Sequence, residues 1–201
     1  MTNPPSPILL VIGPSGSGKS TLVRTLAGAG HLRVHPTWTT RPRRPDEAAG
    51  SLEHRFVDDA TFDRLQREGR FVDAVALFGL AHRYGLPPLD RPAHADDGCS
   101  RTGRLDTVML RAPLVERFRR VFPDRPAVVV QVEDDPRRLR RRLLERGGTP
   151  DELAARLTDN RAEVLLGRRV ADHVVVNDGT VDDLAARVLE LVAPHTQASA
   201  A

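Results

Sequence analysis

Apolar residues fall along this chain in two rhythms. The first is a short run. Ile8-Leu9-Leu10-Val11-Ile12 is one, 127–132 with Val128-Val129-Val130 at its centre is another, broken only by Gln131, and Val174-Val175-Val176 is a third. Runs of this length, bounded by turn residues, predict strands buried on both faces, as in a parallel sheet. A shorter run at 107–110 predicts a further strand. The second rhythm places apolar residues three or four apart. Leu22 and Leu26 predict an amphipathic helix after residue 20, stopped by 28–30, and Leu139 and Leu143 predict another over 136–145. Proline at 113 opens a helix to 122, and Thr149-Pro150-Asp151-Glu152 reads as a capping-box start for a helix to about 166. Thr180 caps a last helix to 192, and the tail from Pro194 is expected to fray. Strands alternating with helices predict an α/β fold with a parallel sheet.

Between about 37 and 104 the rhythm breaks. Residues 37–47 read as a basic loop punctuated by proline, 56–57 and 71–78 as strands, and 59–66 as a short helix. The stretch 79–85, with His82, Arg83 and Tyr84, reads as a turn, and 87–104, rich in Pro and Gly, as a long loop containing Cys99.

The first strand runs directly into Gly13-Pro14-Ser15-Gly16-Ser17-Gly18-Lys19-Ser20. This is the G-x-x-x-x-G-K-[ST] pattern of a phosphate-binding loop, with the strand before and helix after that the pattern requires. Its glycines let the backbone turn successive N–H groups onto phosphate oxygens, and the helix N-terminus adds partial positive charge. Lys19 brings a mobile point charge to the β- and γ-phosphates of ATP, and the Ser20 hydroxyl is placed to hold Mg2+. Thr21 completes the loop.

Composition sharpens this reading. Of 30 basic residues one is lysine, and it is Lys19. Arginine is a planar fork and lysine a compact ammonium, so the two differ most inside a tight cradle. The net charge of +3 is a weak sign of nucleic-acid binding and suits polyanionic substrates equally. One cysteine in 201 residues excludes an intrachain disulfide and a C-x-x-C metal site, and no apolar run is long enough to span a membrane. A single domain in a reducing cytoplasm, a monomer or homodimer without nucleic-acid or membrane partners, is the expectation.

Three blocks give the chain a resemblance to the guanylate kinase family of P-loop nucleoside monophosphate kinases. They are GPSGSGKST at 13–21; Thr39-Thr40-Arg41-x-x-Arg44-x-x-Glu47-x-x-Gly50 with His54-Arg55-Phe56-Val57; and RLLERG at 142–147, with Arg156-Leu157 and VVVND at 174–178 following. The resemblance spans residues 7 to 193. It implies a three-layer P-loop NTPase fold, an acceptor-binding subdomain at about 37–90 and a helical lid at about 142–160. It also implies ATP and Mg2+ as cofactors and transfer of the γ-phosphoryl group to a phosphate-bearing acceptor, GMP first. Arg41 and Arg44 would clamp the acceptor phosphate, with Thr37, His54, Asp73 and Tyr84 completing its site. Arg142, Arg146 and Arg156 would close over the transferred phosphoryl group, and Asn177 would lie near the adenine.

The chain also departs from that pattern. His54 stands where the family has a tyrosine, with one extra residue before it, and Asp73 stands near a guanine-reading glutamate. Leu86 falls where Ser or Thr is usual, and Met109 and Arg111 align with an acid-x-acid pair. Ribose 1,5-bisphosphate phosphokinases, which lack that pair, offer a second resemblance and a sugar phosphate as the alternative acceptor. A non-catalytic ATP-binding regulator and a phosphopeptide-binding module are the non-enzyme alternatives. The run Arg137 to Arg142 reads either as a nucleic-acid patch or, given Leu139 and Leu143, as one face of an amphipathic helix.

Overall fold

Strand β1 (Ile8–Ile12) has all five side chains fully buried. It lies between and parallel to two other strands, β7 (Leu105–Met109) and β8 (Ala127–Glu133). A strand covered on both edges and both faces has no place for a polar side chain, and this explains its unbroken apolar run. The outer strands are β2 (Leu32–Val34) and β9 (His173–Val176), giving the order β2-β7-β1-β8-β9. In this computed structural model the residues described are 7–43, 47, 51–76, 82–89, 104–145, 147 and 149–197, with nothing described of the side chains of 152, 196 and 197. The chain packs as two compact units, one of Met1–Arg33 with Arg104–Ala201 and one of Val34–Gly103.

In the first unit, α1 (Lys19–Gly28) packs against α6 (Val181–Gln197). Helix α5 (Pro150–Val170) packs on β8 and on a 3-10 turn, Ala112–Leu114, that leads into α3 (Val115–Val121). Helix α4 (Pro136–Glu145) buries Leu139 and Leu143 and leaves Arg137, Arg140 and Arg141 exposed, the amphipathic arrangement. α5 is bolted to β8. Arg168 donates to both Glu133 oxygens at 2.7 and 2.6 Å, and the Gln131 amide donates to the Val164 carbonyl at 3.2 Å. Among the described residues no helix is long and apolar enough to cross a membrane.

The second unit is a four-stranded sheet with the order β4-β3-β6-β5 and one helix, α2 (Asp59–Arg67). Its strands are β3 (Thr37–Thr39), β4 (His54–Phe56), β5 (Asp73–Ala76) and β6 (Arg83–Leu86). Directly paired residues project from the same face of a sheet. The pairs Trp38–Gly85, Trp38–Arg55 and Ala74–Gly85 therefore define one face. On it Phe71 stacks at 6.3 Å from Trp38 and 4.8 Å from Phe62 of α2. Gly85 is required there, since a Cβ would come 2.8 Å from the Phe71 ring.

Three expectations need correction. Residues 37–39 are a strand and not the start of a loop, because β4 and β6 flank them on both edges. Residues 83–86 are a strand and not a turn, paired with both β3 and β5. The last helix continues past 192, through Pro194, to Gln197. A proline there forfeits one bond near the helix end and no more, so the helix does not stop. The 87–104 loop lies outside the described residues from 90 to 103, and Cys99 with it; the Glu152 side chain of the capping box also lies outside them.

Candidate active site

The loop between β1 and α1 takes its shape from three glycines with positive φ: Gly13 (134°), Gly16 (89°) and Gly18 (98°). At Gly13 a Cβ would run into the Val132 carbonyl oxygen of β8, and at Gly18 it would come 2.5 Å from the Asn177 amide nitrogen. No other residue type fits either position without displacing β8 or the residue after β9.

Each carbonyl of this loop accepts a hydrogen bond from the protein. Lys19 Nζ donates to Gly13 O at 2.6 Å and Pro14 O at 2.8 Å. Asn160 Nδ2 donates to Ser15 O at 3.0 Å, Arg142 to Gly16 O at 2.6 Å and Asn177 Nδ2 to Ser17 O at 3.0 Å. Gly18 O takes the Leu22 N–H at 2.9 Å. Bonded carbonyls fix the peptide planes of the loop, and a glycine-rich strand-to-helix turn fixed in this way is an anion-binding nest. The loop is thus built to receive phosphate oxygens. Ser17, fully buried, has a hydroxyl with no hydrogen-bond partner among the described residues.

Arg142 is shared between the loop and Asp134, to which it donates at 2.7 Å; Asp134 is buried at the end of β8. Arg156 is exposed on α5 and donates to the Gly147 carbonyl at 3.3 Å. Ser20 is half-buried in the first turn of α1, and Thr21 is exposed beside it. Arg146 lies outside the described residues.

Met109 and Arg111 lie at the loop's other flank, since β7 pairs Val11 with Met109 and the Leu110 N–H bonds to Val11 O. The charge at 111 is answered from α5. Arg111 donates to Asp159 at 2.7 Å and Glu163 at 3.2 Å, and Glu163 also takes the Ala112 N–H at 2.7 Å. Burial works to lower the Arg111 pKa, and the Asp159 and Glu163 carboxylates outweigh it, so the guanidinium is held above its usual value. The carboxylates next to β7 are therefore present, but they belong to the helix.

In the second unit, the face opposite Trp38 gathers the acceptor candidates. The pairs Thr37–His54, Thr39–Phe56, Thr39–Tyr84, Val75–Tyr84 and Asp73–Leu86 put Thr37, His54, Tyr84 and Asp73 on that face. His54 Nδ1 lies 2.8 Å from the Thr37 hydroxyl, and the His54 and Tyr84 rings are 6.1 Å apart. Arg41 and Arg43 both stand 5.1 Å from the Phe56 ring centre, also on this face. Arg41 is held in a fork by Glu47 at 2.9 and 2.7 Å. Arg44 lies outside the described residues.

Sequence reasoning did not single out Asn160, Asp134 or Glu163. One signal was available: Arg156, Asn160, Glu163 and Gly167 are spaced by four, three and four, which is one face of a helix.

Among the described residues no three His, Cys, Asp or Glu side chains gather as a metal cage. The Ser20 hydroxyl, half-buried in the first turn of α1, is a single oxygen donor of the kind that fits Mg2+, which keeps several waters and is held through one or two protein oxygens and substrate phosphates. The glycine-lined loop, its carbonyls bonded within the protein, fits a triphosphate.

Comparison with known proteins agrees with this architecture. No model of a protein family matches the chain. A guanylate kinase of Symbiobacterium thermophilum is 33% identical over 193 residues, covering 95% of this chain and 85% of that one. Those of Thermobifida fusca and Frankia casuarinae are 33% and 34% identical, over 96% and 94% of this chain and 94% and 97% of theirs. The crystal structure of guanylate kinase from Anaplasma phagocytophilum superposes with a TM-score of 0.66 at 21% identity, covering 96% of this chain and 87% of that one, and shows the same α/β P-loop fold. With a third of its residues shared along nearly its whole length, the chain belongs to the guanylate kinase family.

Proposed function

We propose that this chain transfers the γ-phosphoryl group of ATP to GMP. The observation that carries the reading is the reach of the similarity: the aligned 95% of the chain takes in both the phosphate-loop unit and the unit that bears the acceptor candidates.

Lys19 would leave the Gly13 and Pro14 carbonyls and place its charge on the β- and γ-phosphates. Amides of residues 16–20 would bind the remaining phosphate oxygens. Ser20 would hold Mg2+, which when bound supplies neutralising charge to those oxygens. Arg41 would hold the acceptor phosphate with Arg44, and Thr37, His54, Asp73 and Tyr84 would line the acceptor's face. Asp73, a carboxylate, suits the paired N–H donors of guanine. Arg142, Arg146 and Arg156 would carry charge on the transferring group, and Asn177 would border the nucleotide. A phosphate oxygen of GMP forms the new bond to the γ-phosphorus while the bond from that phosphorus to the β–γ bridging oxygen breaks, leaving ADP. The nucleophile is already ionised near neutral pH, so the chain needs no strong general base. Catalysis is placement, charge and exclusion of water.

The test is ADP release with ATP and a panel of GMP, dGMP, AMP, UMP and ribose 1,5-bisphosphate. GMP is expected to be turned over in preference to the rest. Turnover with the sugar phosphate alone, or with none of the five while ATP still binds, would overturn the assignment of GMP.

A further inference from the structure

The side chain of Asn160 makes a two-point clasp on one residue of the phosphate loop. Its Oδ1 accepts from Ser15 N at 2.7 Å and its Nδ2 donates to Ser15 O at 3.0 Å, across 145 positions of sequence. Asn160 is 6% exposed, so these bonds have little competition from water. An amide is the one neutral side-chain group that offers donor and acceptor side by side at this spacing.

What surrounds Asn160 gives the clasp its meaning. Glu163, one turn on, grips Ala112 N and Arg111; Gly167, one turn further, rests on Gln131; Arg168 is forked onto Glu133. The helix from Asp159 onward is therefore fixed to β8 and to the 3-10 turn that follows β7. Arg156, one turn before Asn160 on the same face, lies about 6 Å away along the helix axis. Asn160 thus sits where the anchored part of α5 ends and the arm bearing Arg156 begins. Arg142 and Asn177 hold the two carbonyls that follow Ser15, from α4 and from the end of β9.

We infer that Asn160 is a positioning residue for the donor nucleotide: it locks the first half of the phosphate loop to α5, so that the loop's amides and the Arg156 arm keep one fixed relation. It acts through Ser15 and touches no reacting atom. This rests on the ATP-binding reading of the loop and is independent of the acceptor.

The experiment compares wild-type protein with Asn160→Ala and Asn160→Asp. Four quantities are measured: ATP affinity by calorimetry, KM for ATP, KM for GMP, and the thermal midpoint. Asn160→Ala removes both bonds and is expected to raise the ATP Kd about tenfold, the equivalent of one or two hydrogen bonds. The KM for GMP should stay within about twofold, since a side chain acting on the donor loop alone leaves acceptor binding in place. Asn160→Asp keeps the bond from Ser15 N, loses the donor to Ser15 O and adds a negative charge near the triphosphate. Its ATP affinity should fall at least as far, and it supplies the reading if the alanine variant does not fold. A folded Asn160→Ala or Asn160→Asp with wild-type ATP affinity overturns the inference. So does a parallel rise in both KM values, which would mark a general loosening of the fold. If the wild type binds ATP and turns over no GMP, the acceptor assignment fails while the comparison of ATP affinities stands unchanged.

Discussion

Replacing Lys19 with alanine separates two things the same ammonium does. In the structure it bridges the Gly13 and Pro14 carbonyls, both on buried residues. Removing it costs these two bonds, about 1 kcal/mol each. For a chain of this size that is a fall of about 4–8 °C in thermal midpoint. In the proposed ATP complex the ammonium would face phosphate. A unit charge about 4 Å from a phosphate oxygen, at an effective permittivity of about 20, is worth about 4 kcal/mol. If the carbonyl bonds are given up whole on the way, about 2 kcal/mol remains; if they are retained, about 4 kcal/mol does. The expected loss in kcat/KM for Lys19→Ala is therefore between about 30-fold and 1,000-fold. The assay is ADP release at saturating GMP with ATP varied, beside a thermal scan of the same sample. A variant that is folded at the assay temperature and within about tenfold of wild type would refute the argument, because the lysine would then be a structural staple and no more. A midpoint unchanged beside a large loss of turnover would refute the other half, the carbonyl bridge.

Arg41→Ala should raise the GMP KM by about 10- to 100-fold, the range for a charge-assisted bond, and leave the ATP KM nearly unchanged; equal effects would remove Arg41 from the acceptor site. Gly13→Ala should yield little folded protein, because its φ of 134° and the Val132 carbonyl leave no room for a methyl group. Expression with a wild-type thermal midpoint would contradict that geometry. The Arg168 hydrogen bond holds the Glu133 pKa below the usual carboxylate value, so its contribution to stability is complete above the unfolded-state pKa and is lost as pH falls through the lower folded value. Thermal midpoints measured from neutral pH to about pH 3 should therefore fall less steeply on the acid side in Glu133→Gln than in wild type; parallel curves would show that this ion pair does not couple to stability.

The parts of the fold legible in the sequence are those where one constraint dominates. β1 is buried from both faces, so its apolar run gives its bounds, and α4 shows its Leu139–Leu143 spacing among arginines. The phosphate loop was readable because its glycines answer steric demands that no other residue meets. β3 and β6 were not legible. Three or four residues long, one beside a Pro-rich stretch and the other holding Gly85, they owe their extended form to partners elsewhere in the chain. The same limit applies to the site. That Arg111 replaces an acid could be seen; that Asp159 and Glu163 answer it from about 50 residues away could not. Asn160 is one of several polar residues on a helix of 21, and only the packing of α5 shows that it faces inward.

The lone lysine also makes this a protein with one amine-reactive side chain. The neutral amine is the nucleophile in acylation, and Lys19 Nζ is engaged by two backbone carbonyls, which hinder its attack. Labelling at that side chain, read as a mass shift on the peptide that carries it and so kept apart from the α-amine, would therefore report how often Lys19 leaves its carbonyls. Bound ATP, by holding the ammonium on phosphate, would shield the same atom, so a plain chemical footprint reads occupancy of the loop without any turnover.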